Sequence, residues 1–202
     1  PGCAVSDPGL TIDQRGLRTS GGRLRTNLPD DLVARYEPLH NLNVSAGQAD
    51  LVVARDRTSG EEVVVKLYRN AEQLDREVME RLYVADNAHV VRLIEHGETD
   101  GEPWEVQEYC SLGTLTDYRL EQGGHLSEVQ ALAAVEELAD AIHYILGRHS
   151  AHRDLKPENI LVRSLEPLDL VLTDFGVAAE QIATVQLQTV AASWAWAAPE
   201  VH

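Results

Sequence analysis

The chain has 202 residues, 44% apolar and 25% charged, which excludes a disordered segment and favours a globular fold with its own core. A formal net charge of −16 argues against nucleic acid as a partner and favours basic partners. No apolar run reaches the roughly 18 to 20 residues of a membrane-spanning helix, and two distant cysteines argue against a disulfide framework and favour a reducing, cytoplasmic compartment.

The first third of the chain is predicted to be a leader followed by strands. Residues 1–31 are rich in glycine, serine, threonine, aspartate and arginine without a regular apolar period, so we expect an N-terminal extension or loop. β-Branched residues cluster at 51–55 and 61–68 and predict two strands. The segment DRTSG at 56–60 is typical of a turn, which makes the pair an antiparallel hairpin.

A helix and two more strands are predicted next. Asn70 and Gln73 have the spacing of a capping box, so a helix is expected to begin there. Its apolar residues recur every four positions: Leu74, Val78 and Leu82. Strands are expected within 89–98 and 104–109, and a connector with one short helix at 110–124.

The clearest helix follows Ser127, which has capping-box spacing to Gln130, and Gly147 is expected to end it. Its apolar residues form one stripe: Leu132, Val135, Leu138, Ala139, Ile142, Ile145 and Leu146. Short strands are expected at 159–162 and 169–174. The order of elements predicts an α+β fold in which a β-rich lobe is joined to a helical lobe.

The segment AHRDLKPENILV at 151–162 combines three side chains that suit phosphoryl transfer. Asp154 can accept a hydroxyl proton, Lys156 can neutralise charge on the moving phosphate, and Asn159 can offer an oxygen to Mg²⁺. Pro157 disfavours a helix, so these residues are expected on a loop. Further along, Asp174 in TDFG ends an apolar strand and suits a second Mg²⁺ ligand.

These motifs, taken in order, resemble the catalytic core of eukaryotic-type serine/threonine protein kinases, including the bacterial Hanks-type members. Besides HRDLKPEN and DFG, two further kinase motifs are present: VVVK, which ends at Lys66, and APE at 198–200. The similarity therefore covers roughly residues 36–202. The resemblance implies a two-lobed kinase fold with an N-lobe at 32–107 and a hinge and partial C-lobe at 108–202. It also implies transfer of the γ-phosphate of ATP, with Mg²⁺, to serine or threonine hydroxyls of protein substrates.

The resemblance assigns a catalytic role to each matched residue. It implies that Asp154 is the catalytic base and that Lys156 contacts the γ-phosphate. Lys66 is implied to hold the α- and β-phosphates and to pair with a helix glutamate. Glu77 matches that glutamate best, and Glu80, one helical turn on, is the alternative.

The nucleotide and metal sites implied by the resemblance depart from the family at one place. The implied cofactor-binding residues are Gly47, Lys66, Gln107, Glu108, Cys110, Asn159 and Asp174, of which Asn159 and Asp174 are the metal ligands. The three usual glycine positions of the phosphate-covering loop hold other residues: Val44, Ala46 and Ala49. Only Gly47 remains, out of phase, which predicts weaker nucleotide binding because alanine keeps backbone N–H groups farther from phosphates.

Three residues are expected to have regulatory roles. In the family, Arg153 can meet a phosphorylated residue of the activation segment. Thr189 is the predicted regulatory site in that segment, with an ordinary loop threonine as the alternative. Ser193 stands where serine/threonine kinases usually have a threonine and, with Lys156, indicates serine/threonine specificity.

Lysine usage supports the same interpretation. Fifteen of the seventeen basic residues are arginine, and the two lysines, Lys66 and Lys156, stand where the kinase motifs have one. A compact, flexible ammonium suits contact with phosphate oxygens, whereas a planar guanidinium does not replace it well. The arginine-rich composition also suggests a bacterial origin.

Two alternatives remain open from the sequence. The altered glycine loop is compatible with a pseudokinase-like nucleotide-binding or scaffold module, and a small-molecule phosphotransferase would share the aspartate and asparagine. The chain ends at APEVH, and in the resembled family further helices follow that motif. We therefore expect the 202 residues to be part of a longer multidomain protein and to be inactive alone.

Overall fold

A computed structural model describes residues 10–12, 18–20, 28–42, 49–69, 80–81, 87–175 and 179–180. The chain divides into two compact units, and each combines two stretches of sequence. The first unit contains Pro1–Asn70 and Glu95–Tyr109, and the second contains Ala71–Ile94 and Cys110–His202. Within the described ranges, no helix has the length and apolar character needed to cross a membrane.

The first unit is built on a five-stranded sheet with the order β3–β4–β5–β7–β6. Its strands are β3 Tyr36–Leu42, β4 Ala49–Asp56, β5 Glu62–Tyr68, β6 Leu93–Thr99 and β7 Glu102–Glu108. A short helix, α1 Asp30–Arg35, leads into β3. Two three-residue strands, β1 Leu10–Ile12 and β2 Arg18–Ser20, pair antiparallel within the segment that the sequence predicts as a loop.

The central strand β5 explains the uninterrupted VVV run of the sequence. It pairs antiparallel with β4 on one side and with β7 on the other. Val63 and Val65 are 1% and 0% exposed, and Val64, which points to the opposite face, is 4% exposed. Because both faces of the strand are buried, apolar residues do not alternate with polar ones. Lys66 lies in this strand and is also buried.

The turn between β4 and β5 is organised by Asp56. Its carboxylate oxygen Oδ1 accepts a hydrogen bond from the backbone N–H of Thr58 at 2.7 Å. The other oxygen, Oδ2, accepts a hydrogen bond from Nη2 of Arg35 at 2.9 Å. Gly60 closes the turn with φ +78°, a conformation that favours glycine. The predicted DRTSG hairpin therefore forms, and its aspartate also connects the turn to helix α1.

We expect Asp56→Asn to lower the free energy of unfolding by about 1–3 kcal/mol at pH 7, because hydrogen bonds to a charged group are lost. Burial by itself raises the pKa of Asp56, but the Thr58 N–H and the Arg35 guanidinium outweigh it and hold the pKa below 3.8. The stabilisation by the ionised Asp56 carboxylate is thus present above pH 3.8, and it is lost as pH falls through the lower pKa that Asp56 has in the folded state.

Urea unfolding of the wild type and the Asp56→Asn variant across this pH range measures the effect. The difference between them should shrink below pH 3.8. Asp50→Asn is the matched control, because Asp50 pairs with Arg69 at an exposed position of the same sheet and exposed pairs contribute little. A difference that does not change with pH would contradict the role of the Asp56 carboxylate.

In its described ranges, the second unit contains short antiparallel strand pairs and two helices whose full bounds are given. These helices are α2 Leu115–Glu121 and α3 Glu128–Gly147, and a 3₁₀ turn covers Pro157–Asn159. Its strands are β8 Ser150–Ala151, β9 Ile160–Leu165, β10 Leu168–Leu172 and β11 Ala179–Glu180; β9 pairs with β10 and β8 with β11. The predicted capping box is confirmed at the start of α3, where Ser127 accepts the N–H of Gln130 and Gln130 accepts that of Ser127.

The predicted apolar stripe of α3 is only partly its buried face. The buried residues are Ala134, Ala141 and Ile145, which contribute to one core with β9 and β10. Leu132 and Val135 are 60% and 65% exposed, and Ala139 and Leu146 are exposed as well. These four positions of the stripe are exposed because the helix is apolar over a wide arc and only part of that arc packs against the core. The packing against β10 selects the smaller side chains at 134 and 141, which periodicity cannot distinguish.

The strand expected within 89–98 begins only at Leu93. The preceding residues pair instead with β10 in the second unit: Val91 N–H donates to Leu172 O and Leu172 N–H donates to His89 O, both at 2.9 Å. Local β propensity is the same for both arrangements, so only the partner strand decides between them. The helix expected from Asn70 lies outside the described residues except for Glu80 and Arg81, which are helical.

Candidate active site

The segment between β8 and β9 brings together the three predicted side chains of the HRDLKPEN motif. Lys156 Nζ lies 2.5 Å from Oδ2 of Asp154. The side-chain amide of Asn159 donates to the same Oδ2 at 3.0 Å and to the backbone oxygen of Asp154 at 2.8 Å. The Asp154 carboxylate is 13% exposed and the Lys156 side chain 23%, so solvent reaches the cluster only partly. The pair is therefore a partly desolvated acceptor beside a cation.

The imidazole of His152, a residue of the HRDLKPEN motif, supports this cluster through hydrogen bonds at both ring nitrogens. Its Nε2 lies 2.8 Å from the carbonyl oxygen of Thr173, and its Nδ1 accepts the N–H of Asp154 at 3.3 Å. Because a carbonyl oxygen can only accept, the neutral tautomer with hydrogen on Nε2 satisfies both contacts. The ring is buried against Phe175, with centroids 5.1 Å apart. The imidazole thus fixes the backbone of Asp154 to the strand end that precedes Asp174.

Thr173 connects the two predicted metal-binding segments. Its N–H donates to the backbone oxygen of Asn159 at 2.9 Å, while its own oxygen accepts from His152. Asp174 follows directly and has φ 65°, and Arg153 has φ 65° on the loop itself. Left-handed backbone is uncommon for residues with a side chain and is retained where surrounding structure imposes it. The motif residues at 154, 159 and 174 are therefore attached to one hydrogen-bonded framework.

The donor atoms of this framework fit Mg²⁺. Both contacts of the Asn159 amide nitrogen go to Asp154, which leaves the side-chain oxygen of Asn159 as its ligand atom. Asp174 adds a half-buried carboxylate. Oxygen atoms from one amide and one carboxylate are ligands that Mg²⁺ accepts in proteins, whereas softer metals prefer nitrogen and sulfur.

Lys66, in the first unit, has a carboxylate partner that no motif of the sequence indicates. Its Nζ lies 3.5 Å from Oε1 of Glu105, and the side chains are 8% and 3% exposed. The two residues are directly opposite each other on β5 and β7. The available signal was Glu105 itself, which lies between Trp104 and Val106 of the predicted strand. Glu77, the predicted partner, lies outside the described residues.

The predicted adenine-contacting segment lies at the end of β7 and just after it. Gln107 and Glu108 pair with Val64 and Val63 of β5, and Gln107 is 5% exposed. Cys110 is buried. Arg153 is exposed. Three further predicted site residues lie outside the described ranges: Gly47, Thr189 and Ser193.

A second polar cluster in the second unit has a structural role. His89, Glu137 and Asp169 each offer a ligand-type atom within 4.8 Å of the others. However, Glu137 already accepts the N–H of Leu170 at 2.7 Å, and Arg163 lies 3.3 Å from Asp169. The first contact satisfies the N–H of Leu170 and the second neutralises Asp169, so the cluster connects helix α3 to β10.

Comparisons with known proteins agree with this geometry. Residues 46–202 match the sequence model of the protein kinase domain. Maternal embryonic leucine zipper kinase of Danio rerio is 32% identical over 181 residues, which are 85% of this chain and 26% of the relative. Sperm motility kinase 2A of Mus musculus is 28% identical over 193 residues, which are 92% of this chain and 38% of the relative. The chain therefore spans well under half the length of these curated relatives.

A solved structure resembles the chain as well. The crystal structure of Rad53 1-466 in complex with AMP-PNP matches with a TM-score of 0.65 and 28% identity, covering 72% of this chain and 39% of that one. The α+β, kinase-like fold class predicted from the sequence is thereby confirmed.

Proposed function

This chain belongs to the protein kinase domain family, and from that membership we propose that it is the catalytic segment of an ATP- and Mg²⁺-dependent protein serine/threonine kinase. The single observation that carries the proposal is the contact set of Asp154 with Lys156 and Asn159. It is attached through Thr173 to the segment that holds Asp174. An acceptor, an ammonium and oxygen ligands on one framework are the groups that phosphoryl transfer requires.

The proposed mechanism assigns one task to each of these side chains. Asp154 accepts hydrogen bonds at Oδ2 from Lys156 and Asn159, which orients its carboxylate to accept the proton of a substrate hydroxyl. Lys156 stands beside it to neutralise charge that develops on the transferred phosphate. Asn159 and Asp174 would hold Mg²⁺, which neutralises charge on the nucleotide phosphates when bound.

The remaining proposed roles concern nucleotide binding. Lys66 contacts the α- and β-phosphates, and the backbone after Gln107 offers hydrogen bonds to adenine. The AMP-PNP complex named for the Rad53 structure and the kinase names of the curated relatives support nucleotide use and protein substrates. We retain the cytoplasmic compartment, the bacterial origin, the multidomain context and regulation through Arg153, Thr189 and Ser193 as predictions from the sequence.

Titration of the 202-residue chain with Mg·ATP tests the nucleotide part of the proposal. Nucleotide that binds only the folded chain should raise the midpoint temperature of thermal unfolding. At a free nucleotide concentration of a hundred times Kd, the free energy of unfolding should increase by about 2.7 kcal/mol. Omission of Mg²⁺ should reduce the shift, and GTP and adenosine serve as comparison ligands. No shift with any nucleotide at millimolar concentration would contradict the proposal.

A pseudokinase-like nucleotide-binding module is the second candidate function. The observation that favours it is the replacement of the usual loop glycines by Val44, Ala46 and Ala49. Radiolabel transfer from γ-³²P ATP to histone, measured with the full-length product of the gene, separates the two functions. Nucleotide binding without transfer would favour the module.

A further inference from the structure

We infer that Glu105 competes with bound nucleotide for Lys66 and thereby lowers the affinity of the chain for phosphate-bearing nucleotides. This inference rests on the proposed function, because it concerns the regulation of the same site. It assigns a role to a buried acidic residue that the proposed mechanism does not otherwise use.

The geometry of the pair is fixed by the register of the sheet. Lys66 and Glu105 are directly opposed on β5 and β7, so both side chains leave the same face of the sheet. The flanking pairs Val65 with Val106 and Leu67 with Trp104 keep this register. The carboxylate therefore remains within reach of the ammonium without any change in the backbone.

The contact leaves the carboxylate incompletely compensated. Nζ and Oε1 are 3.5 Å apart, longer than the roughly 2.7–2.9 Å of a strong charge-assisted hydrogen bond. The other oxygen, Oε2, is buried and has no hydrogen-bond partner in the described part of the chain. A buried carboxylate in this condition attracts the nearby ammonium strongly, since an uncompensated buried charge is costly.

Nucleotide binding must weaken this attraction. When Lys66 turns to phosphate oxygens, Glu105 loses part of its only described counter-charge, and a further negative group approaches on the ligand. Both effects favour the nucleotide-free state. Replacing Glu105 by a neutral side chain of similar shape removes both, so the change should tighten binding of phosphate-bearing ligands.

The same sheet offers a matched comparison. Arg55 and Glu62 are also opposed across two strands, and their closest charged atoms are also 3.5 Å apart. That pair is 48% and 32% exposed, in contrast to 8% and 3% for Lys66 and Glu105. Water screens the exposed pair, so Glu62→Gln should have no effect on ligand binding.

The test measures calorimetric Kd values of Mg·ATP and of adenosine for the 202-residue chain. Glu105→Gln should tighten Mg·ATP binding by about tenfold, near the lower end of the coupling measured for close charge pairs. Adenosine binding should stay unchanged, because adenosine has no phosphate that could compete for Lys66. A purely structural effect of the substitution would change both ligands together.

A second measurement does not depend on nucleotide binding. The chain has only two lysines, so peptide mass spectrometry after brief acetic anhydride treatment reports Lys66 with Lys156 as internal reference. The reagent acylates the neutral amine, and a carboxylate partner favours the charged form. Glu105→Gln should therefore increase acylation of Lys66 relative to Lys156 in the absence of nucleotide.

The outcomes separate the inference from the proposed function. If the wild type binds Mg·ATP and Glu105→Gln leaves its Kd unchanged or raises it, the inference is overturned and the proposed function stands. If neither protein binds nucleotide, both are overturned. If Lys66 is acylated to the same extent in the wild type and in Glu105→Gln, the inference is overturned as well. Should Glu105→Gln fail to give the far-UV circular dichroism of the wild type, Glu105→Met carries the same measurements, because an apolar residue of similar length suits a buried strand.

Discussion

Asp154→Asn is expected to lower phosphoryl transfer by about 10²- to 10⁴-fold, the usual contribution of a positioned acid or base. The substitution removes the carboxylate that is proposed to accept the hydroxyl proton. It should leave the loop in place, because an asparagine oxygen can still accept from Lys156 and Asn159. The backbone contacts of residue 154 with His152 and Asn159 do not involve the carboxylate.

The measurement is the initial rate of γ-³²P transfer by the full-length product of the gene, with thermal unfolding recorded on the same samples. Asp140→Asn is the matched control, since it makes the same chemical change at an exposed position of helix α3. The Asp154→Asn variant should bind Mg·ATP as the wild type does. An unchanged transfer rate would remove Asp154 from its proposed role.

Asn159→Ala has the second largest expected effect, because it removes both a proposed Mg²⁺ ligand and a support of the loop. We expect the Mg²⁺ concentration needed for half-maximal ATP binding to rise about 10- to 100-fold. The free energy of unfolding should fall by about 1–3 kcal/mol, since the side chain is 5% exposed and its two hydrogen bonds to Asp154 are lost.

Asn87→Ala distinguishes these two effects. Asn87 also holds a turn of the second unit through its side chain, whose oxygen accepts the N–H of His89 at 2.8 Å. Its loss should lower stability without altering the Mg²⁺ requirement. If both variants change stability alone, the structural role of Asn159 remains and its metal role does not.

Much of the fold was predictable from local pattern. The DRTSG hairpin and the capping box at Ser127 depend on residues within a few positions of each other, and both are present as predicted. The observed strand boundary differs from the predicted one where a distant segment supplies the hydrogen-bond partner. The turn and bridge at 89–91 formed because Leu172 offers hydrogen bonds there.

The candidate site divides in the same way. Asp154, Lys156 and Asn159 lie within one short loop, so their mutual contacts follow from a motif read along the chain. Their functional roles stay predictions. The contact of His152 with Thr173 joins residues 21 positions apart, and no local signal in the sequence indicates it.

The sequence by itself determined the family of the chain, the DRTSG hairpin, the helix that follows Ser127 and the loop that carries the acceptor, ammonium and amide. These features depend on motif chemistry and on short-range spacing, which a linear chain already contains. Only the tertiary structure decided that Glu105 faces Lys66 and that α3 buries Ala134 and Ala141 rather than Leu132 and Val135. Both outcomes depend on strand register and helix packing, where competing arrangements have similar local propensities and burial against a distant partner selects one of them.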